Sequence, residues 1–198
     1  MPEKICWQIE DSHVKMVEAF NRRKLLDTYA GNQLKKLIDS IEYKRCLDIG
    51  CGTGEVGTLC HDYTGFDYPE TIKNVSLKCF PKQNYTNSLI SDPTNLLLLE
   101  SFDLVIMSAF IDVQKEPIKV LSKILKGCQK YVILHRQELI KTPTEIQVNP
   151  SYGAETYHSM ININDFKNCI KEFEIIKKVT LKYPDWEDGG HSYLLKKN

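Results

Sequence analysis

Residues 48–54 constrain this chain more than any other stretch: Asp48, Ile49, Gly50, Cys51, Gly52, Thr53 and Gly54. Residues Arg45 to Gly50 carry the apolar run of a short buried strand, so the glycines fall where that strand turns toward the next element. Glycine there permits positive φ and leaves bare backbone against a ligand, while the first N–H groups of a following helix have no partner inside it. The element is a ligand-holding turn between a strand and a helix.

The signals on either side alternate. Residues 1–43 read as a helical arm, with Val14, Val17, Phe20, Leu25, Leu26 and Tyr29 at three- and four-residue steps. Leu34, Leu37, Ile38 and Ile41 continue that face, and Gly31 is the candidate break. After the loop come strands at 63–67, 85–91, 102–109 and 131–135, with helices at Pro69–Leu77 and Glu116–Lys126, the second closed by Gly127. Residues 137–161 show no clear period and contain Pro143, Pro150 and Gly153, which predicts a long excursion. A helix over Asp165–Glu172, capped by Asn162 or Asn164, precedes strands at 173–182 and 191–196. Between those strands lies the turn-rich segment from Pro184 through Trp186 to Gly190.

Repeated strand–helix units predict an α/β fold with a doubly wound, mostly parallel seven-stranded sheet. The last two strands have no helix between them, so an antiparallel edge strand is expected. The expected organisation is a single domain over 1–198: a helical N-terminal arm (1–43), a ligand-binding core (44–136), and a substrate-side excursion with closing strands (137–198).

The 26 Lys and Arg balance 26 Asp and Glu, which argues against a dedicated nucleic-acid binder with its basic excess. Seven cysteines, at 6, 46, 51, 60, 79, 128 and 169, form no C-x-x-C pair, and no histidine cluster has zinc-finger spacing. Reduced thiols are therefore expected, and no metal site. Met1–Glu10 carries Glu3, Lys4 and Glu10 around a short apolar patch and does not read as a secretory leader. The apolar runs fall far short of the roughly 20 residues that span a bilayer. The expected location is the cytoplasm.

Two ligands suit the glycine loop. Residues 52–57 also satisfy G-x-G-x-x-G, the dinucleotide fingerprint, which asks for an acid about 20 residues further on. Asp67 comes sooner than that, and Asp48 inside the turn adds negative charge where a pyrophosphate would sit. A cationic ligand without phosphates fits better.

Here the sequence resembles the class I S-adenosylmethionine-dependent methyltransferases, over about residues 44–136. Asp48, Gly50, Cys51, Gly52 and Gly54 match that family's first motif. The segment Tyr63–Asp67 looks like its second strand, Ser91 and Asp92 like the acid after the third, and Phe102–Ile106 like the fourth. The resemblance implies a Rossmann-like fold and S-adenosylmethionine as cofactor, leaving as S-adenosylhomocysteine. It implies that Asp48 lies near the methionine ammonium, that Asp67 with Tyr68 holds the ribose, and that Asp92 with Pro93 meets the adenine. Ser108, ending the fourth strand, joins the cofactor set. The spacing from Gly54 to Asp67 leaves room for a first helix of only about two turns, which exposes one flank of the cofactor.

Methyl transfer needs the acceptor within about 3–3.5 Å of the methyl carbon and, for a hydroxyl, a proton acceptor. Carboxyl ends of strands open into the ligand crevice, which points to His135 as base and Arg136 as binder of an anionic substrate, with His158 beside Tyr157 as a second set. Against this, His135 at a strand end can be purely structural, and Arg136 can pair with Glu138. After the fourth strand, Ser108–Asp112 lacks the Asn/Asp-Pro-Pro-aromatic signature of many enzymes acting on nitrogen. The expected acceptor is an oxygen of a small molecule or saccharide, and nucleic acid is not expected. A protein or RNA methyltransferase and a non-catalytic partner subunit are the other readings. The arm is either a lid on the cofactor or an amphipathic helix packed on the sheet.

Overall fold

Strands β1 (Cys46–Ile49), β4 (Leu104–Ser108) and β5 (Tyr131–Gln137) are nearly continuous apolar runs because both of their faces are covered. They are described in a computed structural model that covers residues 6–87, 99–181 and 190–198; the expectations for Ser91, Asp92, Pro93 and Trp186 lie outside the described residues. With β2 (Tyr63–Phe66), β3 (Asn84–Thr86), β9 (Phe173–Leu181) and β10 (Gly190–Lys197), they form a seven-stranded sheet in the order β3-β2-β1-β4-β5-β10-β9. Neighbours from β3 to β5 run parallel. The antiparallel strand is β10, which pairs with both β5 and β9 and so lies second from the edge, with β9 outside it.

Alternate residues of each strand serve opposite layers. Leu47, Ile49, Val105, Met107, Val132 and Leu134 pack with Leu121, Ile124 and Leu125 of one helix and Phe166 of another. Cys46, Leu104, Ile106 and Ile133 pack instead with Leu34, Leu37 and Ile38. These helices are α4 (Pro117–Gly127), α5 (Ile163–Cys169) and α2 (Tyr29–Ile38). The remaining helices are α1 (Glu10–Arg22) and α3, in which Pro69–Thr71, Ile72–Ser76 and Leu77–Cys79 run on with a π turn at the centre. Asn162 caps α5, accepting from the N–H groups of Asn164 and Asp165.

Three expectations are corrected. The arm does not break at Gly31 but between α1 and α2, at a 3₁₀ turn over Leu25–Asp27. Gly31 lies inside α2, whose N-cap Thr28 accepts from the Gly31 N–H. The first helix after the glycine loop is shorter than two turns, a 3₁₀ segment over Glu55–Leu59. The excursion at 137–161 is not irregular. It contains β6 (Leu139–Ile140), β7 (Glu145–Ser151) and β8 (Ala154–Asn162), a second sheet in the order β6-β8-β7. Tyr152 (φ 49°) and Gly153 (φ 82°) make the two-residue turn of its hairpin, both in the left-handed region that a type I′ turn requires. Pro150 is tolerated because β7 is an edge strand.

Gly31 allows the close approach of the turn that precedes it: a Cβ there would stand 2.1 Å from the Leu25 carbonyl oxygen. Helix propensity alone favours Ala at an interior helix position by about 1 kcal/mol. Gly31→Ala is expected to reverse that sign and destabilise the protein by about 1–3 kcal/mol, the range for forced overpacking. Chemical denaturation of the two proteins measures it.

Candidate active site

A cavity of about 370 Å³ opens at the carboxyl ends of β1, β4 and β5. Its floor is Asp48, Gly50, Cys51 and Gly52, and Ser108, Ala109 and Arg136 bound it at the neighbouring strand ends. Trp7, Met16, Ala19, Phe20, Arg23 and Lys24 wall it from the arm, and Tyr152 from the hairpin turn. The two expectations for the arm are thus divided between its halves: α1 walls the cavity, while α2 packs on the sheet. The exposed flank left by the short segment after the loop is filled by α1. Within that wall the Trp7 and Tyr152 rings meet edge-on, with centroids 5.9 Å apart.

The loop adopts the backbone that its glycines allow, with φ of 74° at Gly50, 52° at Gly52 and 84° at Gly54. A Cβ on Gly52 would meet nothing within 4 Å, so this stretch of bare backbone faces open space. Ser76 Oγ donates to the Gly52 carbonyl (2.6 Å), and Asp67 Oδ2 accepts from the Gly52 N–H (2.8 Å). The other Asp67 oxygen accepts from the Tyr68 N–H (2.8 Å). Asp67, Tyr68 and Gly54 therefore lie beside the floor and are not part of the cavity wall.

Asp48 is buried. Tyr63 donates its hydroxyl to Oδ2 at 2.9 Å, while Oδ1 has no partner among the described residues. Burial pushes its carboxyl up to about 7, against the lowering pull of the Tyr63 hydroxyl and with some help from the charge on Asp67. Asp67 is pushed up to about 6 by burial, although the N–H groups of Gly52 and Tyr68 oppose it. Cys51 is buried as well, which keeps its thiol protonated. A partnerless, cation-seeking carboxylate oxygen beside open glycine backbone fits the amino-acid end of a cofactor that carries an ammonium group.

The candidate catalytic residues are not brought together. Arg136 reaches the cavity wall from a left-handed backbone (φ 67°). His135 is fully buried away from it, with Nδ1 2.8 Å from Ser192 Oγ. Burial, with the charge of Arg136, holds its imidazole down at about 3. His158 also stays out of the wall, with Nε2 3.0 Å from Glu138 Oε2 and Nδ1 3.3 Å from Asn149. Arg136 does not pair with Glu138.

Two structural anchors carried no signal in the sequence. Glu55 sits inside the G-x-G-x-x-G stretch, where an acid reads as an exposed first-turn residue. Instead it is buried, and its carboxylate accepts from the N–H groups of Leu25 (2.9 Å) and Leu26 (3.0 Å). Tyr63 reaches Asp48 only through strand pairing, which adjacent residues do not report.

Sheet order, glycine loop and cavity define the chain as a class I methyltransferase domain. A family model described as a methyltransferase domain matches residues 17–172, and the chain belongs to that family. No curated protein matches it significantly. Among solved structures it is similar to an S-adenosylmethionine-dependent methyltransferase of Clostridium acetobutylicum (13% identity, 94% of this chain and 99% of that one, TM-score 0.63). It is also similar to the Burkholderia thailandensis 1,6-didemethyltoxoflavin-N1-methyltransferase (13%, 96% and 87%, 0.64). A third is an amino pentose methyltransferase of Micromonospora echinaspora (11%, 93% and 97%, 0.57). At these identities the likeness is one of fold. No helix among the described residues is long and apolar enough to cross a membrane.

The raised Asp48 carboxyl gives a pH dependence of definite sign. Stability from a carboxyl raised on folding is complete below its unfolded value and is lost as pH rises through its folded one, here about 7. The free protein is expected to lose stability between about pH 4 and 8, while affinity for an ammonium ligand climbs toward pH 8. Asp48→Asn should remove the rise in affinity and lessen the loss of stability, of which the raised Asp67 carboxyl keeps a share, and raise the stability of the free protein at pH 8 by about 2–4 kcal/mol. Thermal denaturation and calorimetric titration at pH 5.5, 7 and 8 test this.

Proposed function

We propose that the chain transfers a methyl group from S-adenosylmethionine to an oxygen of a small molecule or saccharide. The observation that carries the cofactor reading is the partnerless Asp48 Oδ1, buried beside the open backbone of Gly52. In this reading Asp48 takes the methionine ammonium, Asp67 uses its remaining lone pairs for the ribose hydroxyls, and Gly50, Cys51, Gly52, Gly54, Tyr68 and Ser108 shape the seat. Asp92 and Pro93 complete it at the adenine. When bound, the cofactor supplies an electrophilic methyl on a sulfonium. The chain's part is to hold the acceptor in line, keep water out and take up a proton.

A small acceptor suits a cavity of this volume with Trp7 and Tyr152 in its wall. Of the lysines that could form a basic docking surface, Lys177 and Lys178 lie on β9 at the far edge of the sheet from the loop. Lys196 and Lys197 lie at the end of β10 that pairs with Tyr131 at the amino end of β5, and Lys182 is outside the described residues. An oxygen acceptor is supported by the segment after β4, where the proline-rich nitrogen-acceptor signature is missing and a carboxylate, Asp112, stands instead. Two neighbours are named for toxoflavin N1 and for an amino pentose, and only their fold is shared at these identities.

Calorimetric titration with S-adenosylhomocysteine is expected to show micromolar binding. Asp67→Ala should weaken it about 5- to 150-fold, the loss of a hydrogen-bonded carboxylate worth about 1–3 kcal/mol. No binding to a protein with an intact unfolding transition overturns the cofactor reading.

A further inference from the structure

Among the described residues the cavity wall holds three cationic side chains, Arg23 and Lys24 from the arm and Arg136 from the end of β5. None of them forms an ion pair with another described residue. The chain as a whole balances its charges, so this excess is local. Two carboxylates share the wall, and both are committed. Glu55 is taken by the Leu25 and Leu26 amides, and Asp48, in the reading above, by the methionine ammonium. Cys51 keeps its proton, and among the described residues no histidine lines the cavity.

A hydroxyl acceptor needs a base within hydrogen-bond reach, and this wall offers none that is uncommitted. An acceptor that is already an anion needs no base, and unpaired cations are the groups that hold one. We propose that the acceptor oxygen belongs to a carboxylate, which Arg136 holds together with Arg23 and Lys24, and that the product is its methyl ester; the proposal rests on the methyltransferase reading above. The third part given to the chain there, taking up a proton, then falls away.

The cofactor sharpens the charge argument. It carries an ammonium and a sulfonium against one carboxylate, so it brings net positive charge to a wall that is already cationic. One of the three side chains suffices for the cofactor's carboxylate, and two remain. An anionic acceptor offsets them, and a cleft lined by one sign of charge concentrates ligands of the other. Arginine adds geometry, because its planar fork matches the two oxygens of a carboxylate.

The fold fixes where these cations stand. The Glu55 carboxylate holds the amides of Leu25 and Leu26, the residues directly after Lys24, and so ties the end of α1 to the glycine loop. The Lys24 ammonium lies 5.8 Å from the centroid of the Phe20 ring, which is itself in the wall. Arg136 enters the wall from a left-handed backbone (φ 67°), a conformation that persists only where surrounding structure imposes it. Asp112, whose ionisation the Arg136 charge favours, stands outside the wall and makes no ion pair with it.

The step balances without a proton. A lone pair of the carboxylate oxygen forms the bond to the methyl carbon, and the carbon–sulfur pair stays with sulfur. Anion and sulfonium become a neutral ester and a neutral thioether.

Matched probes test this. The first pair is 3-phenylpropanoate and 3-phenylpropan-1-ol, suited to the aromatic walls of Trp7, Phe20 and Tyr152; the second is glucuronate and glucose. In the S-adenosylhomocysteine complex, calorimetry should show an acid bound at least about tenfold more tightly than its partner, the low end for a charge-assisted hydrogen bond. With methyl-tritiated S-adenosylmethionine, that acid should acquire label that alkali releases as volatile methanol, whereas an ether or a methylamine keeps its label. Arg136→Gln is expected to lower the affinity for the acid by about 10- to 150-fold. Arg23→Gln, at an exposed position, should lower it in the same direction. Alkali-stable label, no preference for acid in either pair, or a preference unchanged in both variants each overturn the carboxylate acceptor. So do equal losses of acid and S-adenosylhomocysteine affinity in both variants, which would give the cations to the cofactor. Failure of wild type to bind S-adenosylhomocysteine instead overturns the cofactor reading.

Discussion

The pair of hydrogen bonds from the Leu25 and Leu26 amides to the Glu55 carboxylate ties the N-terminal arm to the glycine loop. An ionised acceptor holding two backbone donors in a buried setting makes strong, directional bonds. They fix where the arm turns, and that turn sends α1 over the cavity and α2 onto the sheet. They also explain how a chain with only a 3₁₀ segment after its glycine loop still encloses a ligand. The wall that a longer helix would have supplied comes from the other side of the loop, tied back by a residue of the loop's own first turn.

Two buried acids lie at the glycine loop, Asp48 on the cavity floor and Asp67 beside it, and burial raises both. Among the described residues both are held by hydrogen bonds and neither by an ion pair. A fold selected for stability alone would replace them with amides or apolar groups. In the proposed reading a bound molecule offsets their cost, through an ammonium at Asp48 and a pair of hydroxyls at Asp67.

The sheet was legible because its strands announce themselves: an apolar run entering glycines at Gly50, and Leu104–Ser108 and Tyr131–Leu134 with no polar interruption. The glycine loop was legible because the demand for positive φ leaves few residues to choose from. The hairpin was misread although Glu145–Val148 alternates polar and apolar, since Pro143, Pro150 and Gly153 look like breakers and Tyr152–Gly153 is not the usual Asn-Gly turn. The partners of Glu55 and Tyr63 were out of reach for a different reason. Each depends on contacts between elements far apart in sequence, and neither propensity nor period carries that information.

The place of β10 has a consequence for how the protein is made. It follows the other six strands of its sheet in sequence, yet it is inserted between β5 and β9, antiparallel to both. During synthesis at roughly 5–20 residues per second, β5 leaves the ribosome some 3–10 s before its partner. For that interval its outer edge is an unpaired row of amides and carbonyls beside a strand as apolar as Val132–Leu134, and β9 has no neighbour at all. The ligand cavity, which is bounded by β5, therefore stands on a sheet whose inner strand β10 is made after all the others.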